Sequence, residues 1–188
     1  MAQDASEITV AADGDLSVAP FGTALPSSID TALNAAFSSV GYLSEDGMSF
    51  TVGAEEEEIN VWQKATPARR IVTARTFQAS GELLQWNRAT FALAFGGGEW
   101  SSPAGGVYRY DPPADRDAIT EYSAVLDWED GDRKSRIVIY RCTLADEVES
   151  SLTRTDAAAL PITLNALTPD EEDRSWYYLS DDAAYAAS

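Results

Sequence analysis

The stretch from Ile119 to Leu144 constrains the fold more than any other part of the chain. Tyr122, Ala124, Leu126 and Trp128 alternate with Glu121, Ser123 and Asp127. A period of two is what a half-buried strand requires, because successive side chains leave a strand on opposite sides. Glu129-Asp130-Gly131-Asp132 reads as a turn and Lys134 to Leu144 as the return strand, so the segment is a hairpin. A second β-prone stretch, Arg69 to Leu84, puts Ile71, Phe77, Ala79 and Leu83 on one side. Thr76, Gln78, Ser80 and Glu82 fall on the other.

The remaining elements are shorter. Residues 1–25 read as an extended N-terminal arm, with a short strand from Ile8 to Ala12 and a turn at Ala19-Pro20-Phe21-Gly22. Pro26-Ser27-Ser28 opens a predicted helix with Ile29, Leu33, Ala36 and Phe37 on one face. Tyr42-Leu43 and Met48 to Val52 read as strand around the turn Ser44-Glu45-Asp46-Gly47, and Gln63 to Ala68 as a loop tip. Asn87 opens a second helix bearing Phe91, Leu93, Ala94 and Phe95, which Gly96-Gly97-Gly98 stops. Further strands are predicted near Val107–Tyr110, Ile162–Leu167 and Trp176–Leu179. The length of 188 residues suits one domain. The expectation is a single, mainly β domain over residues 1–188, with one or two short helices, long hairpins, and C-terminal strands with an acidic tail over residues 145–188.

Composition narrows the chemistry. The chain has no His and one Cys, Cys142. That excludes a disulfide framework, a thiolate zinc cluster, a His metal site and a His-dependent triad. Cys142 lies mid-strand with nothing to activate it and reads as a small buried apolar residue. Glu55-Glu56-Glu57-Glu58 lacks the intervening Gly and Asn of a cation loop and reads as a solvated or interface face. The triple glycine is followed by no Lys-Ser or Lys-Thr, so it is a helix stop rather than a phosphate cradle. Trp62, Trp86, Trp100, Trp128 and Trp176 are evenly scattered, which favours core and subunit contacts over a sugar site. No pair among the 31 acids stands out for acid–base work. The expectation is no enzyme, no metal and no cofactor.

The formal charge is −18. Residues 1–66 hold eleven acids against Lys64 alone, residues 67–110 carry five Arg against two acids, and residues 145–188 carry ten acids against two Arg. A basic nucleic-acid clamp is excluded. Acidic patches on one copy could meet the Arg-bearing stretch of another. No apolar run approaches the roughly 20 residues of a membrane span, and Met1 to Val10 lacks a basic-then-apolar leader. A soluble chain made in a cytoplasm is expected. The five Trp, eight Tyr and six Phe argue against acidic disorder.

One order of features is specific. Ala19-Pro20-Phe21-Gly22-Thr23-Ala24-Leu25-Pro26 is followed by Val40-Gly41-Tyr42-Leu43-Ser44-Glu45-Asp46-Gly47, then a charged β segment, a Trp and a long strand ending Leu83-Leu84-Gln85-Trp86-Asn87. Over residues 15–97 this resembles the major tail protein, or tail tube protein, of long-tailed, non-contractile phages, especially those of actinobacteria. The resemblance implies a β-sandwich or barrel whose copies form six-membered rings, stacked into a hollow tube through which double-stranded DNA passes. Each subunit would give two long hairpins, Met48–Leu84 and Ile119–Leu144, to a shared inner barrel. It further implies a tape-measure protein and a tail terminator as partners, no membrane partner, and a place in the virion tail after assembly in the bacterial cytoplasm.

Physical chemistry agrees with that picture. Long hairpins leave edges that a free monomer must hide, and ring closure removes them. About 24 strands, spaced about 4.8 Å and tilted about 40°, close at a radius of about 24 Å and leave a bore on the order of 35–40 Å. An acidic wall would repel duplex DNA over a Debye length of about 8–10 Å instead of gripping it. Gln78, Ser80, Glu82, Glu121, Ser123 and Asp127 are the expected lumen residues. Glu55, Glu56, Glu57, Glu58 and Trp62 would meet a neighbouring ring or subunit, with Arg69, Arg70 and Arg75 as partners. The alternative is a carbohydrate- or surface-binding β-sandwich module, which would stay monomeric or form a small closed oligomer.

Overall fold

A computed structural model describes residues 5–114, 119–144 and 148–186. Residues 1–4 of the expected arm, and 145–147 and 187–188 of the expected tail, lie outside them. The chain forms β1 (Asp13–Pro20), β2 (Ser38–Ser39), β3 (Leu43–Ile59), β4 (Arg69–Leu83), α1 (Arg88–Ala94), β5 (Glu99–Ala104), β6 (Val107–Asp111), β7 (Tyr122–Asp130), β8 (Arg133–Leu144), β9 (Leu160–Leu167) and β10 (Trp176–Ser180). All its strand pairs are antiparallel. The mainly β expectation holds.

The main sheet runs β2-β1-β7-β8-β9-β4-β3, with β10 also on β8. β8 makes the fold. One edge pairs with β7 throughout. The other gives Ser135–Ile139 to β10 and Arg141–Leu144 to β9. This fork bends the sheet over itself, so that β4 faces β10, and the Phe77 ring stacks on Trp176 at 4.6 Å. Between the two halves lie Leu16 and Val18 of β1, Phe77, Ala79 and Leu83 of β4, and Ala124 and Leu126 of β7. Ile137, Ile139 and Cys142 of β8 and Leu160, Ile162 and Leu164 of β9 complete the core. Burying these side chains is the main stabilising term, at roughly 1.5–3 kcal/mol for each Val, Leu, Ile or Phe before entropy is counted.

The β7–β8 turn is closed by Gly131 at φ +63°, a conformation that disfavours a Cβ. Helix α1 is held by a reciprocal cap: Asn87 Oδ1 accepts from the N–H groups of Ala89 and Thr90, and Thr90 Oγ1 accepts from Asn87 N–H. Its Leu93 and Ala94 enter the core.

Three expectations change. The N-terminal arm is not free: β1 is an integral strand, paired with β7 from Asp13↔Glu129 to Pro20↔Tyr122. The short strand falls at β1 rather than at Ile8–Ala12. The predicted helix from Pro26 to Phe37 does not form. Its carbonyls are spent on the sheet: Arg136 Nη1 donates to Ser28 O and Thr31 O, and Tyr177 Oη donates to Pro26 O. Ser28 Oγ and Asn34 Oδ1 also accept from the N–H groups two residues on, which favours turns over helix. Finally, the Ile119–Leu144 hairpin is not a free arm, because β1 occupies the outer edge of β7, and β9 and β10 that of β8.

Candidate assembly surface

The β3–β4 hairpin is different. β9 pairs with β4 only from Gln78 to Leu83. Beyond Gln78 the two strands continue as a free ribbon, paired from Thr51↔Gln78 out to Ile59↔Arg69. From Phe77 to Arg69 the ribbon extends about 26 Å at roughly 3.3 Å per residue, and its loop adds more. Ser49 to Ile59 are exposed on both faces apart from half-buried Gly53. A bulge at Thr73, whose hydroxyl donates to Glu55 O, shifts the register between Glu55 and Glu56 and re-aims the outer half of the arm.

The two faces differ in character. One carries Ser49 and Thr51 of β3, Gln78 and Ser80 of β4, and Thr163 and Asn165 of β9 as cross-strand neighbours. Ser49 and Ser80 hydroxyls meet at 2.9 Å, and Gln78 Nε2 donates to Asn165 Oδ1 at 2.8 Å. These short polar side chains are paired with one another, and Glu82 lies at the end of the rows. The opposite face continues the core outward: Phe50 stacks near Phe77 at 6.2 Å, and exposed Val52 and Val72 lie beyond it. A lone monomer leaves that apolar strip wet. At the tip Trp62 is 99% exposed.

The structure brings together Gln78, Ser80 and Glu82 and separates them from Glu121, Ser123 and Asp127. The first trio lies on the outside of the β9-β4-β3 half. The second lies at or beside β7 on the outside of the other half, across the core, so the six do not line one wall. Ser123 is also 1% exposed and donates its hydroxyl to Tyr140 O at 2.8 Å. Asp127 is held by Arg136 at 2.5 Å, and Glu121 by Arg141, whose guanidinium also sits 5.2 Å from the Phe21 ring. Residues 26–31 cover this face through their carbonyl bonds to Arg136 and Tyr177. Period two fixes which residues share a side; it does not say which half of a folded sheet that side belongs to.

Of Glu55–Glu58 only Glu58 faces an arginine inside the arm; Glu55, Glu56 and Glu57 lie opposite Ala74, Val72 and Ile71. Glu58 is opposite Arg70 and bridges to it at 2.7 Å, while Ala54 is opposite Arg75 and Ile59 opposite Arg69. Such an exposed bridge contributes at most about 1 kcal/mol. Arg69 and Arg75 form no ion pair among the described residues.

Four of the five tryptophans are engaged within the fold. Trp86 Nε1 donates to Ala158 O, Trp100 packs with Phe91 and Tyr110, Trp128 stacks on Tyr178 and Trp176 on Phe77. Cys142 is fully buried, and burial pushes its thiol up to about 12. It therefore keeps its proton between about pH 9 and 12, where the unfolded thiol has lost it. The stability it confers is full below about pH 9 and declines as pH rises through that window. A maleimide or disulfide reagent at pH 8 should leave native Cys142 unmodified and label it fully in denaturant; fast native labelling would contradict this burial.

The family model of the phage tail tube protein matches residues 1–188. The chain belongs to the phage tail tube protein family. No curated protein matches it. The tail tube protein is thus a structural virion component rather than an enzyme, and it self-assembles into the tube of a phage tail. No helix among the described residues is long and apolar enough to cross a membrane.

Proposed function

We propose that six copies close into a ring, that rings stack into the tail tube, and that the tube conducts DNA during ejection from a long-tailed, non-contractile phage. The observation that carries this is the arm: a two-stranded ribbon with free edges that projects from the folded body. β3, β4, β9 and the end of β8 are consecutive in the sheet, so six copies supply about 24 strands and the bore of about 35–40 Å that such a barrel encloses. Gln78, Ser80 and Glu82, with Ser49, Thr51, Thr163 and Asn165, form the lumen wall. That wall is polar and weakly acidic, and it offers phosphates little to hold. Glu121 and Asp127 belong to the outer side.

Glu55–Glu58, Trp62, Arg69, Arg70 and Arg75 serve contacts between copies. The actinobacteriophage affinity rests on the GTALP and VGYLSEDG segments. A tape-measure protein and a tail terminator set the tube's length, and subunits await assembly in the host cytoplasm. Electron microscopy of the purified chain, alone and with the other tail proteins, tests the reading. Rings or tubes are expected, and only lone particles in both samples would defeat it. Arg69→Glu with Arg70→Glu should abolish tubes while leaving the melting temperature within a few degrees.

A further inference from the structure

β3 ends the strand order on one side and the two-residue β2 covers part of β1 on the other, and a cleft of about 800 Å³ opens between β1 and β3. β2 pairs with β1 only at Ser17 and Val18, so among the described residues no strand pairs with the outer backbone edge from Asp13 to Asp15, while the Asp15 carboxylate accepts from the Ser17 and Ser39 hydroxyls. β3 is unpaired along its outer edge. Five antiparallel steps separate β1 from β3, so the two edges run in opposite directions. Between such edges a single strand would be parallel to one of them. A strand pair meets both antiparallel, which is the pairing β1 and β3 already use. The opening is therefore shaped for the end of a hairpin.

Its chemistry is equally selective. Tyr42, Met48, Phe50 and Trp128 give the cleft an apolar floor, while Asp13, Asp15 and Glu45 line it with no Lys or Arg. The chain owns a hairpin end with the opposite features. Residues 60–70 hold Lys64, Arg69 and Arg70 and no acid. Trp62 projects there at 99% exposure. A solvent-exposed Trp facing an apolar, acid-rimmed pocket has the make-up of an interface anchor.

We infer that the β3–β4 tip of one copy docks in the β1–β3 cleft of a second copy, with Trp62 against Tyr42 and Phe50 and with Lys64 and Arg69 beside Asp13 and Glu45. This rests on the self-assembly proposed above. It names the receiving site and makes the contact heterologous, head to tail, so that it propagates instead of closing as a pair.

Copies carrying Gln63→Cys, next to the anchoring Trp62, mixed with copies carrying Glu45→Cys, are treated with a short bismaleimide; buried Cys142 stays out of the reaction. Abundant cross-linked pairs in the polymer fraction, and none in the monomer fraction, are expected. Tubes of normal width without that pair would overturn the docking site and leave self-assembly standing. Cross-linking of Glu45→Cys to another tail protein would overturn it too. Absence of any polymer from the wild-type chain would remove the underlying reading instead. A charge exchange gives a second readout. Asp13→Lys with Glu45→Lys should cut polymer yield at least tenfold, and adding Lys64→Glu with Arg69→Glu to the same chain should restore it. Failure of rescue in a chain with normal melting would also overturn the site.

Discussion

Replacing residues 55–74 with Asn-Gly should convert the polymerising subunit into a permanent monomer that melts within about 3 °C of the parent chain. Ala54 and Arg75 are direct cross-strand partners, so a two-residue turn can join them without disturbing the sheet. The excised segment holds no core residue: everything buried on β4 lies at or below Phe77, and of the large apolar groups removed, Ile59, Val61, Trp62 and Val72 are exposed and Ile71 is half-buried in the monomer. Exposed bridges such as Glu58–Arg70 add little. Stability should be nearly untouched, and assembly, which needs the arm's edges and tip, should be lost entirely. Sedimentation and negative-stain microscopy of the shortened chain, alongside a thermal melt, read both quantities. Tubes from the shortened chain would show that the arm is dispensable.

Phe77→Ala should do the reverse and destabilise the body. Phe77 is 2% exposed and lies where the arm leaves the core. It packs face to face with Trp176 at 4.6 Å and lies 6.2 Å from Phe50. It thereby ties β4 to β10 across the fold and anchors the root of the arm. Truncation removes the ring's transfer energy and leaves a cavity walled by rigid strands, a loss of about 4 kcal/mol. For a domain of this size that lowers the melting temperature by about 12 °C. A loss under about 1 kcal/mol in denaturant titration would mean that the two halves do not meet at this ring.

Sequence pattern revealed the elements whose own residues decide them. The β7–β8 hairpin, the alternation along β4 from Thr76 to Leu83 and the Asn87 cap are local facts, and each appears in the structure, whereas the bulge at Thr73 turns Ile71 to the face opposite Phe77. Partnership was not legible. Leu16, Val18 and Ala19 gave no strand signal strong enough against Gly14, Asp15 and Pro20, yet they become core once β7 pairs with β1. Ile29, Leu33 and Phe37 have helical spacing, but Arg136, more than a hundred residues later, takes the Ser28 and Thr31 carbonyls that a helix needs. The candidate wall divided for the same reason. Gln78 and Asp127 both sit on polar sides of strands, and only the fork in β8 sends those sides in opposite directions. The exposure of Trp62 at a loop tip follows from the hairpin pattern, whereas its proposed receptor exists only where two distant strand edges come together.

The separation of β1 from its partner has a consequence for biosynthesis. The ribosome finishes the β3–β4 hairpin, a local structure, long before Tyr122–Asp130 emerges to complete the pairing of Asp13–Pro20. Local hairpins form in microseconds, while such long-range pairing must await the rest of the chain. During translation a nascent subunit therefore carries a finished plug before its socket has been built. Trp128, which floors that socket, arrives with the same late strand. Chains still on the ribosome can offer themselves to completed subunits but cannot receive one another, and that asymmetry restrains premature growth.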